Sequence, residues 1–497
     1  MNRIPENIDN NPEYSLVLES YTNDQELVDF IRFIAHALNS TKKRGTLAFL
    51  GVAAAEVRLI TLAAWYVGWR VSVLPETGNH QFMLEKAEVD LLLCESKGKV
   101  KDIVEEKISD CLILYLQEES ESFFSWLETK DSERKDLLEQ GCSWTRNEVA
   151  LILFTSGSTG EPKGVCHSLS GILASAARFI HHFKINAHEK ILNTAGLHTM
   201  SGFRVSIVLG FLSKCQVDAL NNAADIWNII QQLKQFQSNI LLTGPNLVRQ
   251  ISLLSEKLSE GLGEKESGLS GHLKVILSTG AQIDSPSKLQ VHANLGISVM
   301  DYYGLTETGG LAIAESIDEF SFDHSFLGKA CVDIKLKVLT SDNQERDFGK
   351  GELRVYSDSI YLGYLAQEAY HRDFFDTGDQ VEIHASGQVT WLYRLKSGVK
   401  AVSTEWIYTE VVHSWLQNFS IEDCYVSSYY DSNQNARFIV EVTGIGKTEW
   451  NDWKNQMGQI LVEQLGDDYN IVDWCRVDEI VRSSLGKYIK SITEDDQ

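Results

Sequence analysis

The sequence predicts an α/β protein: a large N-terminal α/β domain with additional antiparallel β-sheet, followed by a small C-terminal α+β domain. Three observations carry this expectation. In the first half, short apolar strands alternate with helical stretches. From Cys331 onward, apolar and polar residues alternate one by one. After Arg394, helix and strand patterns mix again. The first pattern belongs to a largely parallel sheet covered by helices, the second to antiparallel strands with one solvated face. A chain of 497 residues has length for more than one domain and for a substantial core.

In chain order, "NDQELVDFIRFIAHALN" spaces its apolar residues as one helical face. The short apolar runs "GTLAFLG" at Gly45, "WRVSVL" at Trp69 and "VDLLLCE" at Val89 predict buried strands. The polar, acidic "QEESESFFSWLETKDSERKDLLEQGCSWTRNE" predicts a surface excursion between two such blocks. Next, "ALILFTSGSTGEPKGVCHSLSG" takes a strand from Ala150 into a loop of Thr, Ser and Gly, then into helix-like "SGILASAARFIHHF". "ADIWNIIQQLKQF" predicts a further helix and "KVILSTG" at Lys274 a further strand. "CVDIKLKVL", "GELRVYS", "QVEIH" and "QVTWLY" predict antiparallel strands, the last two joined through "ASG". In the tail a helix is predicted around "STEWIYTEVVHSWLQ", strands at "DCYVSSYY" and "ARFIVEV", and a helix from "KTEWNDWKNQM".

Composition excludes several classes. The net charge of −24 disfavours broad binding to nucleic acid or to an anionic membrane surface, so an anionic ligand must be held by local donors. The longest nearly uncharged apolar run, "LITLAAWYVGW" from Leu59, is too short to span a bilayer. The N-terminus lacks the basic start and apolar stretch of a secretion signal. The expectation is a cytoplasmic protein without nucleic-acid partners or stable membrane insertion. None of the eight cysteines has Cys-x-x-Cys spacing, which predicts reduced thiols used as small apolar side chains.

The loop at Thr155 is the strongest functional signal. Thr155, Ser156, Gly157, Ser158, Thr159 and Gly160 supply hydroxyls and unhindered backbone N–H groups, and Lys163 adds a positive charge. Such a loop can wrap phosphate oxygens, because glycine permits the close approach and positive φ that anion nests need. It is not the P-loop of ordinary NTPases, since Pro162 precedes Lys163 and Gly164 follows it.

"FTSGSTGEPKGV" closely resembles the phosphate loop of the adenylate-forming superfamily, which includes acyl- and aryl-CoA synthetases, nonribosomal peptide synthetase adenylation domains and firefly luciferase. Further matches follow in the family's order. "YYGLTETGG" from Tyr302 resembles its Tyr-Gly-x-Thr-Glu element, implying that Tyr303 stacks on adenine, Thr306 approaches the α-phosphate and Glu307 holds Mg²⁺. An aromatic face suits a purine and a carboxylate suits a hard cation. "STGAQI" resembles the turn in which Gly280 and Ala281 line the adenine and acyl-carboxylate region. "FFDTGDQVEI" and "WLYRLK" imply that Asp379 and Arg394 reach the ribose hydroxyls, although Tyr393 replaces the usual Gly. Lys396 occupies the hinge position. "VRSSLGKYIK" resembles the closing element, whose catalytic lysine is Lys487, with Val481 in place of the usual Pro.

The resemblance implies residues 1–395 as an AMP-binding domain holding ATP and acid, and 396–497 as a mobile domain carrying Lys487. It implies activation of a carboxylic acid by ATP and Mg²⁺, then transfer to CoA or an acyl carrier protein. A stand-alone enzyme that loads a carrier protein, and a degenerate adenylate-binding regulatory or scaffold protein, remain as alternatives. "GLHTMSGFRV" occupies the acyl-pocket element, with His198 resembling its gate; no carboxylate is present to hold an α-ammonium, so an acid without an α-amino group is expected. Arg204 would either pair with a second carboxylate of that acid or be an exposed helix arginine, the latter being the plainer expectation. After the hinge, "RLKSGVKAVSTEWIY" is several residues shorter than in relatives.

Overall fold

The computed structural model describes residues 13–15, 24–76, 78–97, 111–118, 121–130, 141–155, 162–220, 225–260, 271–316, 318, 321–323, 325–367, 373–395, 398–400, 406–409, 412, 416, 421, 423–430, 436–465, 472–482 and 488–492. The chain divides into two compact units. The first comprises residues 1–324, 328–335 and 355–375, the second 325–327, 336–354 and 376–497.

The first unit opens with β1 (Glu13–Ser15), α1 (Gln25–Thr41), β2 (Thr46–Leu50), α2 (Ala54–Tyr66), β3 (Arg70–Val73), α3 (His80–Lys86), β4 (Leu91–Cys94), β5 (Leu112–Tyr115), α4 (Phe123–Thr129) and β6 (Ser143–Thr145). It continues through β7 (Val149–Thr155), β8 (Lys163–Ser168), α5 (Leu169–His182), β9 (Lys190–Asn193), α6 (Met200–Phe203), a π-helical segment at Arg204–Leu209, α7 (Gly210–Ser213) and β10 (Gln216–Ala219). Then come α8 (Ile226–Phe236), β11 (Ile240–Thr243), α9 (Pro245–Glu260), β12 (Val275–Ser278), α10 (Ser285–Leu295), β13 (Ser298–Tyr303), a 3₁₀ turn at Thr306–Thr308 and β14 (Ile313–Ala314). Helix starts follow side-chain capping: Asp24, Ser168, Asp225 and Asp284 each accept a backbone N–H from the first turn they precede.

The next elements are β15 (Phe326–Ala330), β16 (Lys335–Leu339), β17 (Glu345–Arg346), β18 (Gly349–Tyr356), β19 (Gly363–Tyr364), β20 (Phe375–Ile383) and β21 (Gln388–Arg394). One sheet of the first unit has the order β19-β8-β7-β3-β2-β4-β5. Its strands β5, β4, β2, β3 and β7 run parallel, while β8 and β19 add antiparallel. Successive residues of β2 serve opposite faces: Leu47 and Phe49 join a core with α1 and α2, whereas Ala48 and Leu50 join another with Met83 and Leu84 of α3. The other sheet orders β10-β9-β11-β12-β13 in parallel, with β14 and β15 antiparallel beyond them. Leu241, Ile276 and Val299 pack there against apolar residues of α8, α9 and α10.

In the second unit the strands order as β21-β20-β18-β16-β17. The burial of β20 alternates residue by residue, the pattern expected of a half-buried antiparallel strand. The chain ends with β22 (Gly398–Lys400), β23 (Trp406–Tyr408), β24 (Cys424–Tyr430), β25 (Ala436–Val442), α11 (Trp450–Leu465), β26 (Val472–Arg476), β27 (Glu479–Arg482) and β28 (Tyr488–Ile492). Helix α11 connects β25 to β26, which run parallel, so it serves as their crossover. Val426, Phe438, Val440 and Met457 form the core of this α+β part, with Trp453 stacked on Trp450 and edge-on to Trp474.

The α/β class stands, and three local expectations change. Cys331–Ile334 is a turn, with Ile334 N–H donating to the Cys331 carbonyl and Asp333 at φ 65°, so the strand begins only at Lys335. Trp406–Tyr408, expected within a helix, pairs antiparallel with Gly398–Lys400 as a strand, in keeping with its aromatic and β-branched residues. The acidic stretch is more than a surface excursion: Phe123 and Trp144 within it are buried in the main core.

Candidate active site

The register of the β7–β8 hairpin pairs Thr155 directly with Lys163, so the two ends of the expected phosphate loop stand side by side. Ser156, Gly157, Ser158, Thr159 and Gly160 lie outside the described residues. Beyond Lys163, β19 adds to β8 with Tyr364 opposite Val165. The Lys163 ammonium sits over the Tyr364 ring, 5.3 Å from its centroid. The Tyr364 hydroxyl donates to Oε1 of Glu307 at 2.9 Å. Burial and the neighbouring Glu307 carboxylate push the Tyr364 phenol well above its ordinary range, so it stays a donor at neutral pH. The backbone of Glu307 is held as well, its carbonyl accepting from Tyr361 N–H at 2.8 Å. One aromatic residue thus joins the loop lysine to the expected metal ligand.

Thr306 and Glu307 occupy a single 3₁₀ turn between β13 and β14, both half-buried. Thr308 closes it, its hydroxyl accepting from Leu305 N–H at 2.9 Å. Gly309 and Gly310 follow at φ 80° and 77°, a conformation that side chains resist. A Cβ on Gly309 would lie 2.7 Å from Ser359, and one on Gly310 2.7 Å from Met200. His167 of β8 is fully buried beside the Thr306 backbone. Burial depresses its imidazole to about 4, so it is neutral at physiological pH.

Tyr303 ends β13, and Gly280 and Ala281 lie exposed just past the end of β12. The parallel register Ser278↔Asp301 sets these ends next to each other, at the carboxyl edge of the sheet where α/β proteins bind ligands. Beneath them, Lys288 of α10 is buried between Asp301 at 2.8 Å and Glu315 at 3.0 Å, tying α10 to β13 and to the residue after β14. Burial raises both carboxyls while the shared ammonium opposes the rise.

His198 is half-buried in the loop between β9 and α6, its ring folded back against Gly196. Asn193 shapes that loop, donating to the carbonyls of Ala195 and Gly202 and to the Ser206 hydroxyl. Arg204 departs from expectation: it is fully buried rather than exposed. Its guanidinium donates to the Ser175 hydroxyl and the Gly309 carbonyl, both at 3.1 Å, and to the Tyr302 hydroxyl at 3.3 Å. The π-helical segment that begins at Arg204 lies within the main core, which is why a charge here is enclosed.

In the second unit Asp379 of β20 is buried and faces Arg394 of β21 in register, with Nη1 3.3 and 3.4 Å from the two carboxylate oxygens. The Trp391 indole donates to the same carboxylate at 3.4 Å, and Thr377 Oγ1 accepts from Asp379 N–H at 3.1 Å. Lys396 and Lys487 lie outside the described residues.

Sequence reasoning missed Tyr364, His167, Arg178 and Ser175. Tyr364 belongs to "YLGYLA", whose aromatic residues around a positive-φ Gly363 are the only local sign of a built feature. Among the described residues no three His, Cys, Asp or Glu side chains gather as a metal cage, and no helix is long and apolar enough to cross a membrane.

A 2-succinylbenzoate–CoA ligase of Enterococcus faecalis is 27% identical over 274 residues, 54% of this chain and 54% of the ligase. The chain spans about half the length of the curated relatives it matches. Among solved structures, MatB from Rhodopseudomonas palustris with ATP bound is similar at a TM-score of 0.76 and 18% identity, covering 93% of this chain and 91% of that one. The o-succinylbenzoate CoA synthetase of Bacillus subtilis, solved with ATP and magnesium, is similar at 0.71 and 19%, covering 93% and 92%. Residues 14–365 match the family described as AMP-binding enzyme, and the chain belongs to that family.

Proposed function

We propose that the protein activates a carboxylic acid with ATP and Mg²⁺, forming an acyl-adenylate and pyrophosphate, and then passes the acyl group to a thiol, that of CoA. The observation that carries this reading is the join at Tyr364, which links Lys163 and Glu307 across the base of the phosphate loop. In the first step a carboxylate oxygen bonds to the α-phosphorus. The bond from that phosphorus to the bridging oxygen breaks, and its electron pair leaves with pyrophosphate. In the second, a thiolate attacks the acyl carbon and AMP departs. Both partners of the first step are anions, so local cations and donors must offset their repulsion.

In this reading Thr155, the residues Ser156 to Gly160 and Lys163 hold the outgoing pyrophosphate. Tyr303 stacks on the adenine, Gly280 and Ala281 line the adenine and acyl-carboxylate region, Thr306 meets the α-phosphate, and Asp379 with Arg394 the ribose. Glu307 fits Mg²⁺, a hard ion that needs one or two protein carboxylates and fills its shell with phosphate oxygens and water; when bound it neutralises phosphate charge. Lys487 reaches the carboxylate and α-phosphate oxygens, His198 gates the acid, and residues 396–497 move as a domain about Lys396. No carboxylate occurs from Thr194 to Gly210, which supports an acid without an α-amino group, and the Nη donors of Arg204 face protein groups rather than a second carboxylate.

A carrier-protein thiol is the second reading for the acceptor. It is favoured by the acidity of residues 396–497, with 9 Lys and Arg against 17 Asp and Glu, which offers CoA phosphates little general attraction. Pyrophosphate–ATP exchange across a panel of acids tests the first step, and CoA and holo-carrier proteins offered separately to the adenylate test the second. Exchange with at least one acid is expected. Adenylate binding without exchange for any acid would replace the enzyme by an adenylate-binding regulatory protein.

A further inference from the structure

Two arginines of the first unit are buried with no ion pair to either among the described residues: Arg178 of α5 and Arg204 at the start of the π-helical segment. Several of their donors converge on one short stretch, while Arg178 Nε donates to the Val332 carbonyl at 3.0 Å and Arg204 Nε has no partner among the described residues. Arg204 Nη1 donates to the Ser175 hydroxyl and the Gly309 carbonyl, each at 3.1 Å, while Ser175 itself donates to Gly309 at 2.6 Å. Arg178 Nη1 donates to the Ser359 hydroxyl at 2.8 Å and the Leu311 carbonyl at 3.4 Å, while Ser359 donates to the Thr308 carbonyl at 3.0 Å. Each arginine therefore repeats one device, a guanidinium and a serine that together hold carbonyls of residues 308–311. Those residues include the two left-handed glycines, Gly309 and Gly310, one residue (Thr308) beyond Thr306 and Glu307.

We propose that Arg178 and Arg204 are a positioning pair, which fixes the backbone of residues 308–311 and thereby aims Thr306 and Glu307 for ATP and its metal. The proposal rests on the acid-activating reading above. Stability alone does not explain the pair. A buried cation carries a desolvation penalty, which the more distant Asp333 and Asp358 offset only in part at Arg178. Burial lowers both guanidiniums, and Arg204 adds to the lowering of Arg178, which at about 10 still remains charged at neutral pH. Only a planar fork can reach a hydroxyl and a carbonyl from one side and stack on rings from another; a lysine cannot. Arg204 does stack, 4.9 Å from the Phe179 ring and 5.7 Å from Tyr302, and its Nη2 donates to the Tyr302 hydroxyl. The same residue thereby steadies the strand end that carries Tyr303.

The test compares the full-length wild type with Arg204→Met, Arg204→Lys and Ser175→Ala by thermal unfolding, amide hydrogen exchange of residues 305–312, and pyrophosphate exchange titrated with Mg²⁺. Arg204→Met is expected to keep the melting temperature within a few degrees. Hydrogen exchange of the segment should rise at least tenfold, turnover should fall at least tenfold, and the apparent Mg²⁺ constant should rise. Arg204→Lys is expected to restore none of these, and Ser175→Ala to shift them in the same direction by a smaller factor. Unchanged hydrogen exchange and turnover within twofold in Arg204→Met would overturn the proposal. If that variant does not fold, the same null result in Ser175→Ala, which removes a single hydroxyl, overturns it. A wild type that neither binds Mg²⁺·ATP nor exchanges pyrophosphate would remove the acid-activating reading and the catalytic half of the proposal with it, while hydrogen exchange still decides whether the pair fixes the turn.

Discussion

Glu307 is where a single atom is expected to matter most. Its Oε1 accepts from Tyr364 at 2.9 Å, so the carboxylate is already turned in one direction. Glu307→Gln keeps the shape and loses the charge a hard cation needs, and the Mg²⁺ titration of turnover should move to much higher concentration. Tyr364→Phe keeps the ring under Lys163 and removes only the hydroxyl. A hydrogen bond to a charged group is worth about 1.5–3 kcal/mol when buried, and this one is half-exposed, so a three- to tenfold rise in the apparent Mg²⁺ constant is expected. A titration superimposable on wild type in both variants would show that Glu307 does not hold the ion. Glu307 could be named from the sequence only because "YYGLTETGG" resembles the family's Tyr-Gly-x-Thr-Glu element. Tyr364 could not, since it lies far along the chain and meets Glu307 only because β19 adds to the edge of β8.

At the scale of elements, what could be read depended on whether a segment's own pattern decides its environment. The β20–β21 hairpin was readable because period-two alternation and the Ala-Ser-Gly turn are both local signals, but the pairing of Asp379 with Arg394 depends on a register shift between Gln380 and Val381 that no local signal announces. The acidic stretch between Gln117 and Glu148 misled, because charge density describes an average while Phe123 and Trp144 are single residues. Trp144 is buried, and its indole N–H donates to the Trp65 carbonyl at 2.8 Å. Trp144→Ala should therefore cost about 3–5 kcal/mol, the range for losing a buried aromatic, where a surface residue would cost almost nothing. Chemical denaturation of the two proteins distinguishes these outcomes. Arg204 misled in the opposite sense. A lone arginine in an apolar helix reads as an exposed charge, and no local periodicity reveals that a π-helical segment carries it into the core beside Phe179 and Tyr302.

On the proposed acid-activating reading, variants of the C-terminal residues are expected to separate the two half-reactions. Lys487→Ala should cripple adenylate formation by about 2.7–4 kcal/mol, by analogy with loss of an oxyanion donor, while ATP binding falls little. Lys396→Pro should spare that step and damage thioester formation, because fixing φ hinders rotation at a hinge. Equal losses in both half-reactions of the proline variant would remove the hinge assignment. The pH dependence of global stability also follows from one buried group. His167 is neutral in the fold at about 4, against an ordinary value of 6.5. Between these values the unfolded chain binds the extra proton and the folded chain does not. The stability this neutral ring permits is therefore fully present above about pH 6.5 and is lost as pH falls toward 4. With about 1.36 kcal/mol per pKa unit, the loss is on the order of 3 kcal/mol. Asp301 and Glu315 act with the opposite sign, since burial raises their carboxyls and protonation on acidification favours the fold. The acid limb of the wild type therefore mixes both effects, and a variant at His167 is needed to isolate one. His167→Phe, a ring of comparable size in a fully buried position, removes the titration at a modest packing cost. Its melting temperature should sit closer to wild type, or above it, at pH 4.5 than at pH 7.5. A difference between the two proteins that is the same at both pH values would mean that His167 does not titrate across this window.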